Sequence, residues 1–453
     1  MSEVLVGVLG FACIVAIVVT LFKSKTLPSI AFIVFPMILA AILVLGGYYS
    51  WDDIAKLIKS GFSSTGPTAA LFVFSVLYFG IMTDAGMFDV IISKLMLLVK
   101  DNVIGVCVMT CIIALIGHLD GGGASTFCIV VPAMLPVYKK MHMRPTTLLR
   151  IAVLSMGVLN LMPWAGPTMR AATVLGIEAS ALWQTILPIQ ACGIVLALAV
   201  AVICGILEKN RGAGLNGKLA QVEGKVELSA AEAAAAAAQS ELARPKLFIF
   251  NIALTLAVIA LLILDIFPSY VPFMIGVAAA ILVNYPGAKM QKKIINSHSG
   301  PALMMCSTLM GAAVLMGVLV KDVEGTTSVI TCMSSLISSF LPAALGRHLP
   351  LVIGILSVPL ALAFDTDSYF YGMLPVMIGI GEGFGIAAMP IAVAMVVCRN
   401  CATFISPMVP ATLLGVGLAD VDIKDHIKSS FLWVWGFSFI CMIVAIIFGI
   451  MPV

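Results

Sequence analysis

The sequence predicts an all-α integral membrane protein: two inverted structural repeats of transmembrane helices, with re-entrant hairpins and broken helices. Three observations predict it: a composition suited only to lipid, a segment order that recurs once, and polar interruptions at matching places in both copies. Of 453 residues, 61% are hydrophobic and 10% charged, against about 25% charged in ordinary soluble domains. Apolar runs recur along the chain, at 4–22, 27–48, 103–116, 188–207, 248–264 and 433–451. A hydrocarbon core about 30 Å thick takes about 20 helical residues to cross. The first run follows Glu3 rather than a basic leader, so it is expected to be a span and not a cleaved signal. The eleven cysteines read as small core hydrophobes rather than a disulfide or metal framework. The net charge of +3 comes from juxtamembrane Lys and Arg and points to no nucleic-acid partner.

The duplication is visible as a register. Val44 of Ala40-Ala41-Ile42-Leu43-Val44 matches Val283 of Ala279-Ala280-Ile281-Leu282-Val283, 239 positions on. Met134-Leu135-Pro136-Val137 matches Met373-Leu374-Pro375-Val376, and Ala172-Thr173-Val174-Leu175-Gly176-Ile177 resembles Ala411-Thr412-Leu413-Leu414-Gly415-Val416, at the same offset. Residues 1–207 therefore form a first repeat and 247–453 a second, joined by a polar, Ala-rich linker at 208–246. That linker carries Lys209, Arg211, Lys218, Lys225, Arg244 and Lys246, which mark it cytoplasmic. Ser229 to Leu242 has a helix-favouring composition.

Charge sets the orientation. Lys23 and Lys25 follow the first span and Asp52 and Asp53 the second. In the copy Asp265 follows the first and Lys289, Lys292 and Lys293 the second. Lysines and arginines stay on the cytoplasmic side, so the halves are expected upside down relative to each other, with the amino terminus external. Gly66-Pro67 and Ser299-Gly300-Pro301 are expected to mark further helix starts.

Inverted repeats imply alternating access, with substrate near the midplane where helices break. The first interruption is Gly117-His118-Leu119-Asp120-Gly121-Gly122-Gly123-Ala124-Ser125-Thr126. Unwound backbone inside a membrane survives only when buried in protein or lining a cavity. Gly121, Gly122, Gly123, Ser125 and Thr126 can head a half-helix whose positive end suits a carboxylate. Asp120 could bind a hard cation, carry a proton, or cap the helix. Its counterpart, Phe364-Asp365-Thr366-Asp367-Ser368-Tyr369-Phe370-Tyr371, places two acids amid apolar sequence. Asp365, Asp367 and Ser368 supply oxygens that magnesium and calcium prefer, and intramembrane ionisable groups are functional by default.

The second interruption is Pro163-Trp164-Ala165-Gly166-Pro167-Thr168-Met169-Arg170. Arg170 offers a fixed donor fork for carboxylates, or pairs with an acid. Its counterpart runs from Thr403 through Ser406 and Pro410 to Thr412, after Arg399 and Asn400. Arg399 reads equally as a ligand or a counter-ion. The substrate-contacting set is then Gly121, Gly122, Gly123, Ser125, Thr126, Gly166, Thr168, Arg170, Ser368, Tyr371, Thr403, Ser406 and Thr412. Asp120, Asp365 and Asp367 take metal or proton. His118 either relays protons or is satisfied structurally.

At these residues the chain resembles the citrate–metal:proton symporter family (CitMHS) of the ion transporter superfamily. The resemblance covers nearly the whole chain. It rests on Tyr78-Phe79-Gly80-Ile81-Met82-Thr83-Asp84, Leu119-Asp120-Gly121-Gly122-Gly123, Pro163-Trp164 with Arg170-Ala171-Ala172, Asp367-Ser368-Tyr369-Phe370-Tyr371-Gly372, and Ser406-Pro407-Met408-Val409-Pro410. It implies proton-coupled uptake of citrate, or a similar tri- or dicarboxylate, complexed with co-transported Mg or Ca. It also implies no permanent cofactor, a multi-pass protein of the cytoplasmic membrane, and a homodimer with separate scaffold and transport regions. Thr403 stands where similar members often carry His and Thr366 where they often carry Asn; Arg399 is no recognised family feature. A symporter of another organic acid, a passive anion channel and an intramembrane aspartyl hydrolase are the other readings. The duplication favours a symmetric carrier over an enzyme.

Overall fold

The computed structural model describes residues 1–23, 26–96, 102–214, 242–264 and 266–451. Most of the Ala-rich linker, with Lys218 and Lys225, falls outside the described residues, as do Lys25 and Asp265. Among the described residues no strand forms beyond one isolated bridge between Val323 and Thr326.

The first half opens with α1 (Glu3–Phe22), α2 (Pro28–Leu45), the long α3 (Trp51–Asp84) and the short α4 (Met87–Met96). A helical hairpin follows: α5 (Val103–Gly117), a 3-10 turn at His118–Asp120, and α6 (Gly123–Lys140). Next come α7 (Pro145–Leu159), an irregular stretch, α8 (Gly166–Leu175) and the long α9 (Ala179–Arg211). The second half repeats that order. It runs α10 (Phe248–Leu264), α11 (Tyr270–Asn284), the long α12 (Ala288–Val320), the short α13 (Val329–Ser338) and an interposed α14 (Ala343–Arg347). Its hairpin is α15 (Leu349–Ala361) and α16 (Leu374–Gly383), joined through a π-helical turn at Ser368–Met373. Then follow α17 (Ala388–Cys401), a 3-10 turn at Thr403–Ile405, α18 (Pro410–Leu418) and α19 (Ile423–Ile447).

Among the described residues, eight helices are long and apolar enough to cross a membrane. Others are too short for it alone. At 1.5 Å per residue the 14 residues of α17 and the 9 of α18 reach about 21 and 14 Å, so one crossing needs both. The break between them falls at Pro407 and Pro410, which withhold two N–H donors. In the first half Pro163 and Pro167 do the same between α7 and α8.

Gly66-Pro67 and Gly300-Pro301 do not start helices. Pro67 lies inside the 34-residue α3 and Pro301 inside the 33-residue α12. Neighbouring helices and local adjustments satisfy a carbonyl freed by proline in a membrane helix, so the helix continues. Cys398 and Cys401 form a Cys-x-x-Cys pair, and both are free thiols buried on α17. No group of three or more His, Cys, Asp or Glu side chains that could hold a metal exists among the described residues.

Two bodies pack together. In one, α3 and α12 cross closely, with α2 and α11 against them. The crossing depends on small residues: a methyl on Gly61 would strike the carbonyl of Ala313, and one on Gly317 would lie 2.6 Å from that of Leu57. In the other, α5, α7 and α9 join α15, α17 and α19 around the hairpin tips. The halves exchange partners there: α6 packs on α18, and the π-helical turn packs on α8.

Candidate functional site

Each hairpin tip is held by an aspartate hydrogen-bonded to the start of its returning arm. At the first tip Gly121 takes a left-handed φ of 68°, which glycine adopts without penalty. Asp120 then accepts from the Gly122 N–H at 2.7 Å and from the Ser125 hydroxyl. Thr126 donates to the Gly122 carbonyl at 2.8 Å. Its Oγ1 also meets Nδ1 of the buried His118 at 2.6 Å. At the second tip Asp365 Oδ1 accepts from the N–H groups of Asp367 (2.8 Å) and Ser368 (2.9 Å), and its Oδ2 from the Ser368 hydroxyl (2.7 Å). Asp365 thus caps the returning arm of its hairpin, while Asp120 holds the turn that precedes α6. Each carboxylate keeps lone pairs beyond these bonds.

The two halves meet at Arg170 and Asp367. Arg170 stands one turn into α8, where Pro167 and the helix start aim it toward the opposite hairpin. Its Nε lies 2.6 Å from Asp367 Oδ1, with side-chain exposures of 7% and 16%. Gly166 makes this possible, because the guanidinium occupies the space a methyl there would need. A small cavity of about 10 Å³, lined by Gly166, Arg170, Thr308 and Tyr371 among others, is room for about one water. Arg399 is fully buried nearby. It donates to Thr403 Oγ1 at 2.9 Å and to the Phe364 carbonyl at 3.4 Å, and lies over the Tyr369 ring at 5.5 Å. It forms no ion pair among the described residues. Its Nε has no hydrogen-bond partner.

The remaining predicted residues divide by occupation. Thr168 donates to the Asn160 carbonyl at 3.0 Å. Ser406 Oγ accepts from the Met408 N–H at 3.2 Å. Gly123 faces the Phe404 ring of the other half, which fills the space before it. Thr412 is buried and its hydroxyl lacks a partner, which leaves its O–H free to donate. Arg170, Gly166, Tyr371, Asp367, Ser368 and Asp365 therefore gather in one place, while Asp120, Ser125 and Thr126 gather at the other tip.

Asn160 and Asn400 bind the core between these clusters, and sequence reading passed over Asn160. Asn160 Oδ1 meets His118 Nε2 at 3.0 Å, and its carbonyl accepts from Asn400 Nδ2 at 3.2 Å. Trp164 also donates to the Leu119 carbonyl at 2.7 Å, tying the broken helix to the tip. The available signal was position: a polar side chain closing an apolar helix shortly before a proline, as at Asn160 and again at Asn400.

Half-helix ends, a buried arginine and acidic hairpin tips are set between two like-ordered helical halves, an arrangement suited to a membrane transporter. The fold resembles that of the crystal structure of the Alcanivorax borkumensis YdaH transporter, with a TM-score of 0.56 at 14% identity over 87% of this chain and 89% of that one. The citrate transporter family, CitMHS, matches residues 6–398, and the chain belongs to that family. It is 33% identical to a citrate transporter of Bacillus subtilis (strain 168), over 98% of this chain and 99% of that one. It is likewise 33% identical to the Mg(2+)/citrate complex secondary transporter of the same organism, over 95% of each. The protein is a multi-pass membrane transporter.

Proposed function

We propose that the protein is a secondary active symporter. It imports citrate, or a closely similar tri- or dicarboxylate, as a complex with Mg or Ca, coupled to protons, across the cytoplasmic membrane. The observation that carries this reading is Arg170 at a half-helix start, buried against the acidic hairpin tip of the other repeat. Arg170, Ser125, Thr126, Ser368 and Thr412 with the half-helix amides take carboxylate oxygens. Asp120, Asp365 and Asp367 take the cation or the coupling proton. The described residues offer no cluster of three metal-ligating side chains, so a cation that arrives with citrate brings the remaining oxygens itself. The Mg(2+)/citrate relative supports the same pairing.

Charge explains the protons. Arg170, Arg399, Asp365 and Asp367 balance one another when ionised. Fully ionised citrate with one divalent ion carries net −1 and costs about 2.3 kcal/mol per 100 mV to move against an inside-negative potential. One proton cancels that charge, and a second makes entry favourable. The test is radiolabelled uptake into proteoliposomes, with a panel of organic acids with and without Mg and Ca. Citrate uptake that rises with the divalent ion and with an inward proton gradient is expected. Uptake of gluconate or a dicarboxylate instead would move the substrate class, and absence of counterflow would indicate a channel. The external amino terminus, the homodimer and the repeat boundaries at 1–207 and 247–453 belong to the same proposal.

A further inference from the structure

We infer that the Arg170–Asp367 ion pair is a lock that makes carboxylate and cation binding mutually dependent. The inference rests on the symport reading above but concerns how the two ligands are coupled. The pair joins the two repeats, α8 of the first to the hairpin tip of the second, at 2.6 Å and largely out of solvent. In this arrangement each ligand site is engaged by the other: Asp367 Oδ1 takes the Nε of the arginine, and Arg170 takes one oxygen of the carboxylate that would hold a cation.

A carboxylate that takes Arg170 by itself leaves Asp367 charged, buried and unpaired. A cation that takes Asp367 by itself leaves Arg170 in the same condition. Removing one member of a buried pair is strongly unfavourable, because the other charge stays without solvent or partner. Both ligands arriving together exchange one pair for two. Arg399 does not relieve the frustration. Its Nη groups are committed to Thr403 and Phe364, and it lies within the electrostatic reach of Asp367 without contacting it. Tyr371, beside Arg170 in the small cavity, leaves no room for a second carboxylate while the pair is closed. Such linkage is reciprocal: the cation tightens carboxylate binding by the factor that the carboxylate tightens cation binding.

Recognition of a preformed complex also gives cation dependence, so the decisive variant is Asp367→Asn. It frees the arginine fork while removing the charge that must otherwise be neutralised. Binding of citrate to the purified full-length protein, measured calorimetrically with EDTA or with magnesium, is expected to strengthen about 5–150-fold with magnesium in the native chain. In Asp367→Asn, metal-free citrate is expected to bind at least tenfold tighter than to the native chain, with the magnesium effect reduced to under threefold. If the variant binds metal-free citrate no better than the native chain, the lock is wrong, although the symport reading stands. If citrate binds neither protein under either condition, the symport reading has failed first. A second measurement needs no variant. Labelling of Asp367 in the native protein by a hydrophobic carbodiimide, read by mass spectrometry, is expected to rise with citrate alone and fall when magnesium is added. Labelling indifferent to citrate would overturn the lock even if Asp367→Asn does not fold.

Discussion

Arg170 is held by three neighbours at once: Gly166 beneath it, Asp367 against its Nε, and the Met305 sulfur 3.5 Å from Nη2. A lysine there keeps the charge but loses the planar fork and the reach around Gly166. Arg170→Lys is therefore expected to insert and fold yet lose citrate uptake at least about tenfold, a difference of about 1.4 kcal/mol. Normal uptake by that variant would return Arg170 to a structural role. The three acids separate by the same reasoning. Asn preserves size and one acceptor oxygen, so the hydrogen bonds at Gly122 and Ser368 persist while charge and titration vanish. An acid that carries the coupling proton, changed to Asn, should lose pH-driven accumulation and keep citrate exchange, since exchange moves no net proton. Of Asp120 and Asp365, one that ligates the metal should instead show weaker uptake, partly restored by extra divalent ion. Unaltered pH and metal dependence in Asp120→Asn, Asp365→Asn and Asp367→Asn together would place coupling elsewhere. Sequence identified these residues because charge amid apolar runs is costly. It could not pair Arg170 with Asp367, because the duplication register relates equivalent positions and not positions in contact. Asn160 escaped for a related reason: an uncharged amide at a helix end carries no such cost, and its role follows only from what the fold brings to it.

At the scale of elements, prolines and caps decide where the membrane helices stop, and the same residue types do not act alike everywhere. Pro163, Pro167, Pro407 and Pro410 coincide with breaks, whereas Pro67 and Pro301 ride inside helices of 34 and 33 residues. The difference lies in surroundings rather than number, since Pro132 and Pro136, spaced as Pro163 and Pro167 are, both lie inside α6. A helix continues where neighbouring groups satisfy the carbonyls that its prolines free. The hairpin tips were legible from glycine and acid together, but the capping role of Asp365 emerges only with the turn geometry. Packing of α3 on α12 makes a separate demand. Gly317 faces backbone, so a side chain there has no flexible neighbour to displace. Gly317→Val is expected to destabilise the purified protein by about 1–3 kcal/mol, visible as a lower midpoint in thermal unfolding in detergent. Gly436→Val, on α19 where nothing lies within 4 Å, is the control and should unfold as the native chain does. Equal midpoints for both would mean that the crossing tolerates separation.

Across the whole molecule the repeat predicts more than a copied order of helices. The halves interlock, with α6 of the first packed on α18 of the second and the second hairpin tip packed on α8 of the first. A carrier whose two halves lie upside down to each other can reach inward- and outward-open states by exchanging their conformations. That orientation was argued from loop charge, and Asp265 lies outside the described residues, so a direct test falls on neighbouring positions. Lys23 follows α1 and is exposed, and Ile266 follows α10 and is 61% exposed. The two sites are equivalent in the repeat but should face opposite sides of the membrane, Lys23 the cytoplasm and Ile266 the exterior. With the native cysteines replaced, a membrane-impermeant maleimide applied to intact cells should label Ile266→Cys and leave Lys23→Cys unlabelled until the membrane is opened. Everted vesicles should reverse the pattern. Labelling of both from one side would make the repeat parallel, and alternating access by exchange of the two halves would then have no structural basis.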